Sequence, residues 1–194
     1  MLPFEMKSAM KLREWWRGYK GIGKKRERSG WPTAPERLKM LFETEKVPYR
    51  VIPHAEVYTA PELAASIHTS GRKVAKAVMV LADGRYVMAV LPAHRQLDLD
   101  RFSEVIGAAQ VSLATEAVLE KLFPDCELGA IPPFGTLYEF RVFVDESLAL
   151  EPEIFFQSGT HHEMIAMRYS DFERLVHPLR DRFAMDPAKR AGGF

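Results

Sequence analysis

Lys76 interrupts an otherwise apolar run, Val74–Leu81, and a cation in that setting needs a chemical reason. In an extended chain Val74, Lys76, Val78 and Val80 share one face while Ala75, Ala77, Met79 and Leu81 share the other, so both faces are apolar. An isolated ammonium in apolar surroundings costs several kcal/mol unless it is paired or solvated. Two readings follow. Either the lysine holds an anionic ligand, or it is an edge lysine that snorkels to water and blunts aggregation. Spacing alone does not choose between them.

A second segment with chemical potential is Gly129-Ala130-Ile131-Pro132-Pro133-Phe134-Gly135. Two glycines, two prolines and an aromatic in seven residues suit a rigid loop, and such loops can present fixed backbone N–H donors to a carbonyl or an anion. His161 and His162 are adjacent on an expected strand edge, where successive side chains point to opposite faces, so they are poorly placed to ligate one ion together. A better use is one imidazole facing a pocket and the other facing solvent, with the Thr160 hydroxyl nearby. Cys126 lies between Asp125 and Glu127, whose charges would raise the thiol pKa and disfavour a nucleophilic thiolate. No Gly-x-Ser-x-Gly elbow nominates a serine, and no Rossmann or P-loop glycine pattern supports nucleotide-triphosphate chemistry. His54, after Pro53 at a strand end, suits either a pocket or a structural imidazole. Asp145 in VFVDESL reads first as a turn residue.

The elements that must position these groups are legible in outline. Pro35–Glu45 predicts a helix with Leu38, Leu41 and Phe42 apolar, followed by a strand near Tyr49–Ile52. Thr59-Ala60-Pro61-Glu62 is a capping box opening a short helix to about Ile67. Asp83-Gly84 marks a hairpin turn between the two apolar strands. Asp98 is expected to cap a helix to Ile106, and Thr115 another to Phe123. Strands are predicted over Glu139–Val144, Ile154–Gln157 and Met164–Met167, with a last helix opened by the Ser170–Glu173 capping box. Strands joined by a hairpin and by helices in irregular order argue an α+β fold with a mostly antiparallel sheet.

Composition narrows the compartment and the partners. The chain has 194 residues, 47% hydrophobic and 27% charged, ordinary values for a globular protein. No apolar run approaches the ~20 residues of a membrane span, and no continuous apolar leader opens the chain, so the expected location is cytoplasmic. A single cysteine excludes an internal disulfide framework and a Cys-rich zinc site. The net charge of +1 hides an asymmetry: residues 1–30 hold nine Lys/Arg against three Glu, leaving 18 basic and 23 acidic side chains, net −5, in residues 31–194. Phosphate binding by such a body must rest on local cations rather than on a global field.

Taken in order, His54 with the Tyr58–Pro61 helix start, the VAK strand with Lys76, LPAHRQLDL, GAIPPFG, VFVDESL and GTHHEMIAM resemble the YbaK/prolyl-tRNA-synthetase-associated domain family. These are free-standing and inserted editing domains that hydrolyse mischarged aminoacyl-tRNA. The resemblance runs from about Leu38 to Phe183; the family's Gly-x-x-x-Pro element matches Gly129–Pro133, and its strand lysine matches Lys76. It implies a mixed, mostly antiparallel, barrel-like sheet with surrounding helices. Residues 32–185 would form the editing domain, residues 1–31 a basic N-terminal extension expected to be mobile, and residues 186–194 a C-terminal tail. The implied activity is metal-independent, cofactor-free hydrolysis of the ester on mischarged tRNA carrying a small amino acid, that is, trans-editing in the service of translation fidelity.

In that picture Lys76 and Gly129 are the catalytic pair. Pro133, Phe134, Gly135, His54, Gly159, Thr160 and His161 contact substrate. The implied partners are the acceptor end of aminoacyl-tRNA and an aminoacyl-tRNA synthetase, with no membrane and no DNA. Two alternatives stand beside it. One is a non-catalytic tRNA- or nucleotide-binding module of the same fold, and the other is an interaction protein whose basic tail does the work.

Overall fold

The computed structural model describes residues 32–54 and 69–187; the predicted Thr59–Ile67 helix lies outside the described residues. Helix α1, Ala34–Thr44, begins at a capping box in which the Thr33 N–H donates to Glu36 Oε2 at 2.7 Å, with Pro35 in the first turn. Its Ala34, Leu38 and Phe42 are buried at helical spacing.

Strand β1, Tyr49–Pro53, pairs antiparallel with β8, Glu163–Arg168, which pairs antiparallel with β7, Glu153–Gln157. A second sheet has the order β5 (Val111–Leu113), β2 (Ala75–Ala82), β3 (Arg85–Pro92), β6 (Val142–Asp145), β9 (Leu179–Asp181). The β2–β3 hairpin turns on Asp83 (φ 45°) and Gly84 (φ 79°), both left-handed as the sequence Asp-Gly implies. Two short strands, β4 (Gln96–Leu97) and β10 (Ala184–Met185), form a separate ladder.

The fold is α+β, and antiparallel pairs are in the majority, as expected. The five-stranded sheet is mixed, however: β3–β6 and β6–β9 are parallel, because helical crossovers separate those strands in sequence. Nor does a barrel close. Between the two large sheets a single bridge, Val74 to Phe155 and parallel in sense, makes the join among the described residues.

The strict alternation along β2 serves two cores. Ala75, Ala77 and Met79 join Met88, Val90, Val142 and Val144 beneath α1, the three-stranded sheet and α5 (Tyr169–Val176). Val78, Val80 and Ala82 pack with Val87, Ala89 and Leu91 on Phe102, Val105 and Ile106 of α2 (Leu99–Ile106). Asp98 caps α2 by accepting from the Arg101 N–H at 3.0 Å. Helix α3, Glu116–Leu122, follows Thr115, whose side chain makes no capping bond.

Two boundaries differ from the sequence reading. The strand expected from Glu139 starts at Val142, since Gly135–Tyr138 coil into a 3₁₀ turn that ends at Glu139 in a left-handed conformation (φ 64°). Helix α5 opens at Tyr169 rather than at Ser170. Its first N–H bonds to Pro152 O, and the Tyr169 ring packs beside Phe172, so tertiary packing overrides the local capping signal. Asp145 takes the structural role its sequence suggested. Buried to 2% exposure, it caps α4 (Glu146–Ala149) through the Ser147 N–H and also accepts from the N–H groups of Phe183 and Ala184.

Candidate active site

Lys76 lies on β2 two residues past the bridge that joins the sheets, opposite Leu91 of β3. Its ammonium is half-buried and donates to Ala93 O at 3.3 Å, and among the described residues no carboxylate pairs with it. Burial holds its pKa below the ordinary lysine value, because the charged form gives up hydration that one carbonyl does not replace. Ala93 is itself fixed by donating its N–H to Val74 O at 2.7 Å. Val74 and Phe155 meet at the bridge, and alternation puts Lys76 and Gln157, each two residues further on, on the same side of its own strand as the bridged residue.

Gln157 leads to the glycine loop. Its side-chain amide lies 3.3 Å from His161 Nδ1, and His161 Nε2 lies 2.8 Å from Leu128 O. A carbonyl can only accept, so Nε2 carries the proton, and Nδ1 is left to accept from the Gln157 amide. The His161 main-chain N–H donates to Glu127 Oε2 at 2.6 Å, and the Glu127 N–H returns a bond to Gly159 O at 2.9 Å. Buried His161 therefore staples the segment that leads into Gly129. Gly129 has φ +84°, and a Cβ there would lie 3.6 Å from His161 Cε1, so a side chain would be strained and aimed at the imidazole.

The remaining sequence-derived site residues divide by exposure. His162 faces solvent, and its carbonyl accepts from the His54 N–H at 2.9 Å, which keeps His54 next to the end of the β1–β8 ladder. Thr160 is half-buried beside His161. Gly159 adopts φ +119°, and a Cβ there would fall 2.6 Å from Ala34 Cβ, so its absence of side chain lets α1 close over the loop. Pro133, Phe134 and Gly135 are buried, and the Phe134 ring packs against Phe42, Phe156 and Phe172 in the core. Pro133 and Phe134 thus anchor the loop from beneath. The exposed part is residues 127–129.

Sequence reasoning missed Gln157, Glu127 and the anchor below them. Gln157 had a signal, a polar residue in step with Phe155 on a largely buried strand. Glu127 carries no signal in the sequence beyond the charge it places beside Cys126. The anchor joins Arg37 of α1 to Asp125 at 2.9 Å and to Leu137 O, stacks the guanidinium 4.5 Å from the Tyr138 ring centroid, and brings Tyr138 OH to Asp125 Oδ2 at 3.1 Å. Cys126 Sγ is 3.2 Å from that same hydroxyl, in structural company. Burial raises the Tyr138 pKa strongly, so the phenol stays protonated. Among the described residues no cluster of three His, Cys, Asp or Glu side chains is arranged for a metal, and no helix is long and apolar enough to cross a membrane. An open groove of about 490 Å³, lined by Leu81, Asp83, Ser103 and Gln110, lies at the turn end of the hairpin, away from Lys76.

A half-buried ammonium without a carboxylate partner among the described residues, a strained glycine on an exposed loop and a stapling imidazole suit a site that positions and polarises an activated substrate. Residues 54–175 match the aminoacyl-tRNA editing domain, and the chain belongs to that family. It is 29% identical over 148 residues to the multifunctional Ser/Thr-tRNA deacylase ProXp-y of Escherichia coli (strain K12), a match spanning 74% of this chain and 88% of that protein. It is 27% identical over 137 residues to the prolyl-tRNA editing protein ProX of Acetoanaerobium sticklandii, covering 68% of this chain and 83% of that one. The fold is shared with a crystal structure of a proposed trans-editing enzyme for prolyl tRNA synthetase, at TM-score 0.69 and 18% identity, over 80% of this chain and 99% of the other.

Proposed function

We propose that this aminoacyl-tRNA deacylase removes small amino acids from the 3′-terminal adenosine of mischarged tRNA, acting in trans in the cytoplasm alongside a synthetase. The observation that carries the reading is the half-buried ammonium of Lys76, without a carboxylate partner among the described residues, on a strand bridged to β7, whose Gln157 meets His161 beside Gly129. Lys76 holds a phosphate or ribose oxygen of the tRNA end, and backbone N–H groups of the Gly129 loop orient the ester carbonyl. Water attacks the carbonyl carbon and the acyl C–O bond breaks. The water proton passes to the ribose oxygen by way of the vicinal hydroxyl. An aminoacyl ester is already activated, so positioning and charge stabilisation suffice without a side-chain nucleophile or a metal.

Selectivity in this reading comes from excluding bulk at the Leu128–Gly129 surface. A missing methylene changes binding by only ~1–3 kcal/mol, so several small substrates are accepted together. The test is deacylation of a panel of mischarged tRNAs, with and without a chelator. Alanyl, seryl, threonyl and cysteinyl esters should be hydrolysed with overlapping rates in both conditions, and aromatic esters should be spared. Preference for a bulky aromatic ester, or loss of turnover on chelation, overturns the reading.

A further inference from the structure

The β2–β3 hairpin is basic out of proportion to the molecule that holds it. Residues 69–97 contain Arg72, Lys73, Lys76, Arg85 and Arg95 against one acid, Asp83 at the far turn, in a body of net charge −5. At the Lys76 end, two turns are clasped together. The Ala93 N–H donates to Val74 O at 2.7 Å, and a Cβ on Gly71 would lie 3.2 Å from His94 Cβ. One turn carries Arg72 and Lys73 and the other His94 and Arg95; Arg72 and His94 are exposed, Lys73 and Arg95 half-buried. Two carboxylates among the described residues nearby are committed elsewhere. Glu153 of β7, the strand bonded to Lys73 O through the Phe155 N–H, pairs with Arg50 at 2.7 Å, and Asp98 caps α2. Arg95 reaches Ala184 O at 3.4 Å, which holds its turn while leaving the charge uncompensated by that contact.

We propose that Arg72, Lys73, His94 and Arg95 form the surface that receives the phosphates of the tRNA acceptor strand leading to the ester at Lys76. The inference rests on the deacylase reading above, and it assigns these side chains to binding rather than to chemistry. A polyanion is the partner that a compact cationic rim on an acidic body selects, and the rim adjoins the strand that carries the half-buried lysine. A tRNA whose terminal adenosine occupies the Lys76 site must lead its preceding phosphates away over an adjacent surface, and this rim supplies the charge for them.

The experiment compares wild type with Arg72→Ala and Arg72→Glu/His94→Glu on three probes: mischarged tRNA, the same tRNA without amino acid, and an aminoacyl-adenosine that lacks every phosphate. The double variant should raise KM on mischarged tRNA at least tenfold and weaken binding of uncharged tRNA in parallel. Turnover of aminoacyl-adenosine should stay within twofold of wild type. Arg72→Ala should also flatten the plot of log affinity against log salt by about one unit, as expected when the protein neutralises one phosphate fewer. Unchanged KM, tRNA affinity and salt slope in a wild type that does deacylate tRNA would overturn the surface while leaving the proposed function standing. Loss of aminoacyl-adenosine turnover to the same extent as tRNA turnover would also overturn it, by placing these residues in the chemistry. A wild type that binds tRNA through this rim but hydrolyses no ester would sink the deacylase reading and keep the surface.

Discussion

At the residue scale, Lys76 is placed against stability. Burial lowers its pKa from the ordinary value of 10.5, so the folded protein binds the lysine proton less readily than the unfolded chain does. The charged form therefore costs stability below the folded pKa, and that cost fades as pH rises from the folded value towards the unfolded one. A residue kept under such a cost fits a ligand better than it fits packing. Lys76→Met should lower kcat/KM on mischarged tRNA by at least 100-fold and raise Tm at neutral pH by roughly 2–4 °C, the scale of 1 kcal/mol in a chain of this size. Wild-type deacylation above background should decline on the alkaline side as Lys76 loses its proton, earlier than an exposed lysine would dictate. Lys73→Ala, three residues away, should raise KM and spare kcat. A Lys76→Met protein that melts well below wild type would show that the ammonium is structural, and equal kcat losses from both lysines would remove the assignment.

At the scale of elements, the proposed site depends on how the end of β7 holds the glycine loop. His161 bonds Leu128 O, its main-chain N–H bonds Glu127, and Glu127 bonds Gly159, so the loop is stapled on its N-terminal side and buried through Phe134 on the other. Gly129→Val adds β-branched bulk at φ +84° and drives it at the imidazole, whereas His161→Ala removes the staple. Each should depress kcat on every accepted ester together. Because both act on one backbone segment, a double-mutant cycle should show coupling, the pair costing clearly less than the two single losses added. Strict additivity, or full activity in Gly129→Val, would separate the loop from the chemistry. The hairpin, the central helices and the chemical oddity of Lys76 could be read from the sequence because each rests on a local pattern: Asp-Gly, Asp98 as a cap, alternation broken by a charge. The parallel placement of β6 and β9, the start of α5 at Tyr169 and the turning of Phe134 into the core could not. They are decided by contacts between residues far apart in the chain, as with Phe134 against Phe42 and Phe172. The Gln157–His161–Leu128 chain was hidden for the same reason, since its last link spans 33 residues.

At the scale of the whole molecule, α1 ties the start of the described residues to the core and to the proposed site. Its capping box needs nothing before Thr33, and its buried face reaches both the core and the support of the site. Leu38 and Phe42 are fully buried, Ala34 closes over Gly159, and Arg37 holds Asp125 and Leu137 O below the glycine loop. Truncating a single buried Leu or Phe costs about 2–5 kcal/mol, and whole domains are stable by only about 5–15 kcal/mol. Losing Leu38 and Phe42 together, with Asp125 left without its guanidinium, should exceed what the fold can absorb. Deleting residues 1–30 should therefore leave Tm within about 1 °C and kcat on aminoacyl-adenosine unchanged, while deleting residues 1–45 should abolish the cooperative thermal transition. Arg37→Ala tests the link between support and site in a protein that retains the helix. It should lower Tm and reduce kcat on all accepted esters without altering which are accepted, because it loosens the platform beneath the loop and not the surface that meets the amino acid. A folded, fully active protein lacking residues 1–45, or an Arg37→Ala variant whose ester preference shifts towards bulky side chains, would show that α1 serves selection rather than support.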